Sequence, residues 1–211
     1  PEWQISPVER VMLAGQTTAF YLGKLVVPYP LMFNYPKWDV VPASVLQWLP
    51  LIGVIAVTAL VFALSKRVGR GLVVGWLTFL LCLAPVMGFV NFLPQRFSWV
   101  ADHFVYMASI AFLTMVAAGG AIALQRLTRN ERLTETIGAG VASIAIVVLT
   151  GLTLVHSFKF VDSRVLWEAT LADNQKSWIG AVNYAAILIE KGRSDLCLLY
   201  TSPSPRDATL S

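Results

Sequence analysis

Four stretches of this chain run for close to twenty residues without a charged side chain, and that feature confines the polypeptide to a membrane. They are 48–65, 71–93, 104–124 and 137–156. A bilayer core about 30 Å thick is crossed by roughly 20 apolar residues in a helix. Backbone groups find no water in lipid, so each stretch has to be helical to pair its own N–H and C=O groups. Pro85, late in the second stretch, removes one backbone donor and predicts a kink. Composition agrees: of 211 residues, 56% are hydrophobic and 13% charged, and the mean hydropathy is +0.66. A soluble domain of this size exposes about twice that share of charge.

The connecting loops orient these helices. Lys66, Arg67 and Arg70 lie between the first and second stretches; Arg126, Arg129 and Arg132 lie between the third and fourth, against Glu131 and Glu135. The 94–103 loop has Arg96 as its one fixed positive charge. The positive-inside rule then puts both arginine-rich turns in the cytoplasm of a bacterial inner membrane. Alternation assigns 1–46, 94–103 and everything after His156 to the outer, periplasmic face.

Before the first stretch, Arg10, Thr17 and Lys24 recur every seven residues between Val8 and Val27. This spacing predicts an amphipathic helix at the outer interface, its polar stripe turned to water or a substrate cleft; the alternative is a fifth span. The segment VPYPLMFNYPKWDVVP follows, whose prolines and aromatics suit an extended loop at interface depth.

Beyond 156, residues 157–196 read as two short helical stripes. The first carries Trp167 and ends near Asp173–Asn174; the second, after Trp178, runs through Ala181, Tyr184, Ala185 and Leu188. Small alanines beside larger Tyr184 and Leu188 have the spacing of a tetratricopeptide repeat helix. One repeat cannot bury its own apolar face, so further repeats are expected downstream. From Cys197 the pattern changes: CLLYTSPSPRD matches, residue for residue, a transposon sequencing adapter read as codons, so 197–211 is expected to be foreign to the protein. The chain also starts at Pro1 without a methionine, and the natural polypeptide is expected to extend past both ends.

Chemistry-bearing motifs are sparse. The sequence contains no phosphate-cradling glycine loop, nucleophile elbow or His/Cys metal spacing, and no metal or nucleic-acid partner is expected. Cys82 reads as a small buried apolar residue. Gly71 and Gly75 read as a helix-packing pair. His103 and His156 are far apart in the chain, and His156 reads as an interface residue without a chemical role. The stretch NFLPQRFSWVADHFVYMAS is the most informative, placing Arg96, Asp102, His103 and Tyr106 close to the membrane surface. Arginine there suits bidentate contact with a phosphate. The plainer reading is an aromatic belt with a local Arg96–Asp102 pair.

Three segments in order, FYLGKLVVPYPLMFNYPKW, LAPVMGFVNFLPQRFSWVADHFVYMASIA and LWEATLADNQKSWIGAVNYAAILIEKGR, resemble the later membrane half and first repeat of bacterial tetratricopeptide-repeat membrane proteins. These are related to the transmembrane-and-tetratricopeptide-repeat protein O-mannosyltransferases. The resemblance covers 1–193 and implies an all-α, GT-C type glycosyltransferase fold. Such enzymes transfer sugar from a polyprenyl-phosphate carrier to a protein acceptor. The family's catalytic acids lie in its first outer loop, which would precede Pro1, so no catalytic residue is expected here. Carried over by motif, Arg96, Asp102, His103 and Tyr106 would line the carrier-phosphate side, with Lys24 contributing. Where this chain has His103, the animal relatives more often have arginine. The other reading is a non-enzymatic membrane anchor that presents repeats to a protein partner.

Overall fold

The computed structural model describes residues 5–91 and 93–191; the adapter-like tail at 197–211 and Gly192 lie outside them. Among the described residues all regular structure is helical, with no strand. Seven α-helices run α1 (Pro7–Val26), α2 (Leu49–Val68), α3 (Gly71–Leu83), α4 (Tyr106–Thr128), α5 (Glu131–Ser157), α6 (Ser163–Asp173) and α7 (Trp178–Glu190).

Three helical segments are long and apolar enough to cross a membrane: Val45–Val68, Asp102–Thr128 and Glu131–Phe160. Their caps explain their ends. A one-turn 3₁₀ helix, Val45–Trp48, leads into α2, with Pro50 in the first turn, where a missing N–H costs nothing. Gly69, at φ 117°, ends α2. Arg129, left-handed at φ 51°, ends α4, and Asn130 starts α5 by accepting the Leu133 N–H through Oδ1 at 3.3 Å.

The second apolar stretch does not make one helix from 71 to 93. α3 stops after 13 residues and a single 3₁₀ turn, Ala84–Val86, follows. Proline at 85 has no N–H to offer the preceding turn, and the Ala84 N–H is already shared between the Leu80 and Leu81 carbonyls. Gly88 then turns the chain at φ 94°, where a Cβ would stand 2.5 Å from Leu13 Cδ2. Thirteen residues rise about 20 Å, short of a full core. The expected kink is thus a helix end.

α1 turns its polar stripe inward, one of the two orientations open to it. Ser6 and Glu9 form a capping box, and Pro7 occupies the first turn. The Arg10–Thr17–Lys24 stripe does not face water. Thr17 is fully buried, and Arg10 donates to the Gly88 carbonyl at 2.6 Å, the Phe89 carbonyl at 3.2 Å and Asn91 Oδ1 at 3.0 Å. The break after α3 leaves carbonyls without helical partners, and Arg10 on α1 meets those of Gly88 and Phe89, as Gln95 meets that of Val86 at 3.4 Å. On its other side α1 meets α2 so closely that a Cβ on Gly15 would lie 2.5 Å from Leu51 Cβ.

The main core joins α1, α3, the start of α4 and the 94–105 segment, around Tyr21, Trp76, Phe79, Leu83 and Val100. α3 lies against α4 through Gly75, whose Cβ would meet Met115 Cβ at 3.1 Å, and through Phe79 and Phe112 rings 5.6 Å apart. Trp76 Nε1 donates to Thr58 Oγ1 at 3.0 Å, linking α3 to α2. Cys82 is half-buried against this core. α5 buries no residue and is apolar on every side over its middle, the pattern of a lipid-facing helix.

Candidate functional site

Polar side chains gather where the amino end of α4, the carboxyl end of α5 and the proline-rich loop meet. Tyr21, buried in α1, uses one hydroxyl to donate to the Ala101 carbonyl at 3.0 Å and to accept the Ala101 N–H at 3.1 Å. Ala101 is thereby fixed in an extended conformation, φ −149° and ψ 147°, and delivers Asp102 into the 3₁₀ turn Asp102–Val105 that opens α4.

Asp102 does not pair with Arg96. Its Oδ1 accepts the Tyr35 hydroxyl at 2.8 Å. The Tyr35 oxygen in turn accepts the Met32 N–H at 3.3 Å. Tyr35 is 4% exposed, so this bond joins the proline-rich loop to α4 inside the structure. Lys24 donates to the Pro30 carbonyl, and its ammonium lies 5.4 Å from the Tyr35 ring centre and 5.6 Å from that of Phe20. Burial lowers the Lys24 pKa, with the charge of Asp102 opposing. Burial also raises the Tyr21 phenol. The Tyr35 phenol is raised by burial and then by its bond to Asp102.

The charges of His156, Lys24 and His103 all act on Asp102. His156 lies within electrostatic reach of Asp102: 54 residues separate the two in sequence, but the α4–α5 pair brings its helix back to the same face. Its ring lies 5.3 Å from that of Phe160. Alternation had already put both helix ends on one face; what the sequence did not show was that the Asp102 and His156 side chains come close there. His103 is exposed, with its ring edge-on to Phe104 at 4.6 Å. Tyr106 is 65% exposed on the outside of α4. Arg96 is exposed at the end of the 3₁₀ turn Leu93–Arg96, and its carbonyl accepts from Lys37 at 3.3 Å. Of the five residues singled out from sequence, Lys24, Asp102 and His103 share one electrostatic cluster.

The loop itself is strapped down. Trp38 Nε1 donates to Gln16 Oε1 at 2.7 Å, Trp99 Nε1 donates to the Trp38 carbonyl at 2.8 Å, and the Lys37 ammonium lies 4.2 Å from the Trp99 ring centre.

The α6–α7 hairpin docks on the same face. Asn34 Nδ2 donates to Ser177 Oγ at 2.7 Å, and Asn174 Nδ2 donates to the Asn34 carbonyl at 3.2 Å. The Phe97 and Trp178 rings stack in parallel at 5.9 Å. Phe33 meets the Trp167 ring edge-on at 5.3 Å. Within the hairpin, Leu171, Tyr184 and Leu188 form a small core, with Trp167 and Ala181 against it and Ala185 buried beside it. Trp178, expected in that packing, is 65% exposed and reaches the 94–103 loop instead. A cleft of about 490 Å³ opens on the hairpin, lined by Glu168, Leu171, Ala172, Gln175 and Tyr184.

Among the described residues no group of histidine, cysteine and carboxylate side chains is arranged to hold a metal. No family model matches the chain, and no curated protein or solved structure was found to be similar to it.

Proposed function

We propose that this chain is the membrane portion of a polyprenyl-phosphate-sugar-dependent protein glycosyltransferase, of O-mannosyltransferase-like GT-C type. The observation that carries the reading is the convergence of Lys24, Tyr35, Asp102, His103 and His156 at one end of the apolar helices, with a helical hairpin docked beside them. A carrier phosphate at the membrane surface needs a cation and N–H donors at that depth; Lys24 supplies the cation and the rings of His103 and His156 supply N–H donors. Arg96 and Tyr106 flank the cluster as outer contacts for the carrier. The hairpin, as the first element of a tetratricopeptide array, gives the protein acceptor a platform next to the donor. In this reading α3 completes a set of four membrane segments. The turns at 66–70 and 126–132 face the cytoplasm of a bacterial inner membrane, and the cluster faces the periplasm.

A non-enzymatic repeat anchor is the second reading. It is favoured by the bonds from Asn34 to Ser177 and Asn174, which would also fix a binding hairpin to the membrane surface.

The test is transfer of labelled sugar from polyprenyl-phosphate mannose to membrane proteins by the uninterrupted gene product in proteoliposomes. Lys24→Gln is expected to reduce transfer at least tenfold while the protein still inserts. Undiminished transfer by that variant removes the cluster from the donor site, and no transfer by the intact protein with any polyprenyl-phosphate sugar favours the anchor.

A further inference from the structure

We propose that the groove between α3 and α4, at the end of the helices away from the polar cluster, holds an acyl chain of an anionic glycerophospholipid whose phosphate pairs with Arg70 and Arg126. The groove encloses about 420 Å³ and is lined by Gly71, Gly75, Ala111, Ala118, Gly119 and Ile122 among other apolar residues. That volume lies within the range of roughly 300–1,000 Å³ typical of small-molecule sites.

Its shape follows from the glycines. At Gly75 the two helices touch, because a Cβ there would meet Met115 Cβ at 3.1 Å. At Gly71 and Gly119 a Cβ would find nothing within 4 Å. The helices therefore diverge from Gly75 toward the 66–70 turn, and the groove widens in that direction. The lining makes no polar demand at Thr114, whose hydroxyl donates to the Ile110 carbonyl at 2.7 Å.

The charge at the open end selects the occupant. Lys66, Arg67, Arg70, Arg126, Arg129 and Arg132 cluster there, and the only nearby acids in sequence are Glu131 and Glu135. The ion pairs among the described residues lie elsewhere, at Lys159–Asp173 and Arg164–Glu168. Arg70 immediately precedes α3, next to the lining residue Gly71, and Arg126 lies in the last turn of α4, one turn beyond the lining residue Ile122; both are exposed. A neutral helix filling the groove would leave these cations unused. A lipid with an apolar tail and an anionic head uses both features, and basic pockets between membrane helices are suited to such heads. The inference is independent of the transferase reading.

The experiment is native mass spectrometry of the full chain released from neutral detergent after equilibration with equal amounts of phosphatidylglycerol and phosphatidylcholine carrying the same acyl chains. The wild type is expected to retain phosphatidylglycerol at least threefold over phosphatidylcholine. Gly119→Leu, which fills the groove, should lose both lipids, and the double variant Arg70→Gln, Arg126→Gln should lose the preference. Equal retention of the two lipids by the wild type overturns the proposal, as does unchanged preference in the double variant. Both arginines are exposed, so that variant tests the idea even if Gly119→Leu fails to fold. Cross-linking of the variant Gly119→Cys to a second copy of the chain would also overturn it.

Discussion

The Tyr35 hydroxyl meets Asp102 Oδ1 at 2.8 Å and thereby joins a loop between α1 and α2 to the first turn of α4, 67 residues further on. The phenylalanine substitution Tyr35→Phe keeps the ring in the core and leaves the half-buried carboxylate one donor short. A hydrogen bond to a charged group is worth about 1.5–3 kcal/mol. Unfolding of Tyr35→Phe in detergent should show a loss of that size. The double variant with Asp102→Asn should lose less than the sum of the single changes.

The two buried phenols give the protein an alkaline limit. Tyr21 and Tyr35 both have folded pKa values above the ordinary phenol value of about 10. A group raised on folding contributes stability that is fully present below its unfolded pKa and is lost as pH climbs toward the folded one. Melting temperature should therefore fall above about pH 10, and the fall should be shallower in the double variant Tyr21→Phe, Tyr35→Phe. An equal alkaline fall in that variant would assign the limit to other groups.

Gly15 and Gly23 lie on the same helix and should respond oppositely to alanine. At Gly15 the new Cβ would stand 2.5 Å from Leu51 Cβ and 2.6 Å from its Cα, so α1 and α2 must separate. Overpacking of this kind costs about 1–3 kcal/mol. Gly23 has nothing within 4 Å, and alanine is the better helix former by about 1 kcal/mol. Thermal unfolding should place Gly15→Ala below the wild type and Gly23→Ala at or above it.

Attachment of the hairpin depends on Asn34 more than on the exposed ring stack. Asn34 supplies both a donor to Ser177 and an acceptor to Asn174, and Ser177 also caps α7 by accepting the Gly180 N–H at 3.1 Å. Asn34→Ala should increase hydrogen exchange across 174–180 and expose the 158–178 connection to protease. Trp178→Ala should do so to a smaller extent. Equal protection in Asn34→Ala would mean that the hairpin is held by its aromatic contacts.

Much of the architecture was legible because lipid allows few choices. Uncharged length gave α2, α4 and α5 as helices long and apolar enough to cross a membrane, and an architecture without strands among the described residues. Pro85 marked the place where α3 fails, but its sequence effect is only local. The carbonyls freed by that break are met by Arg10, 75 residues earlier, a pairing that no local pattern signals. The same long-range exchange buried Thr17 and turned the polar stripe of α1 inward, which periodicity alone could not convey. In the candidate site, the stretch around Asp102 drew notice for its residue types. Its partner Tyr35 was hidden in a proline-rich segment read as an extended interface loop, and His156 was passed over because two helices intervene.

The most direct test of the central claim is photo-cross-linking with a polyprenyl phosphate that carries a diazirine next to the phosphate, followed by peptide mapping on the full chain in a bilayer. The account predicts labelling on peptides containing Lys24, Tyr35 or Asp102–His103, competed by unlabelled polyprenyl phosphate and lost in Lys24→Gln. Labelling confined to the 66–70 and 126–132 turns, or spread along α5 without competition, would contradict it.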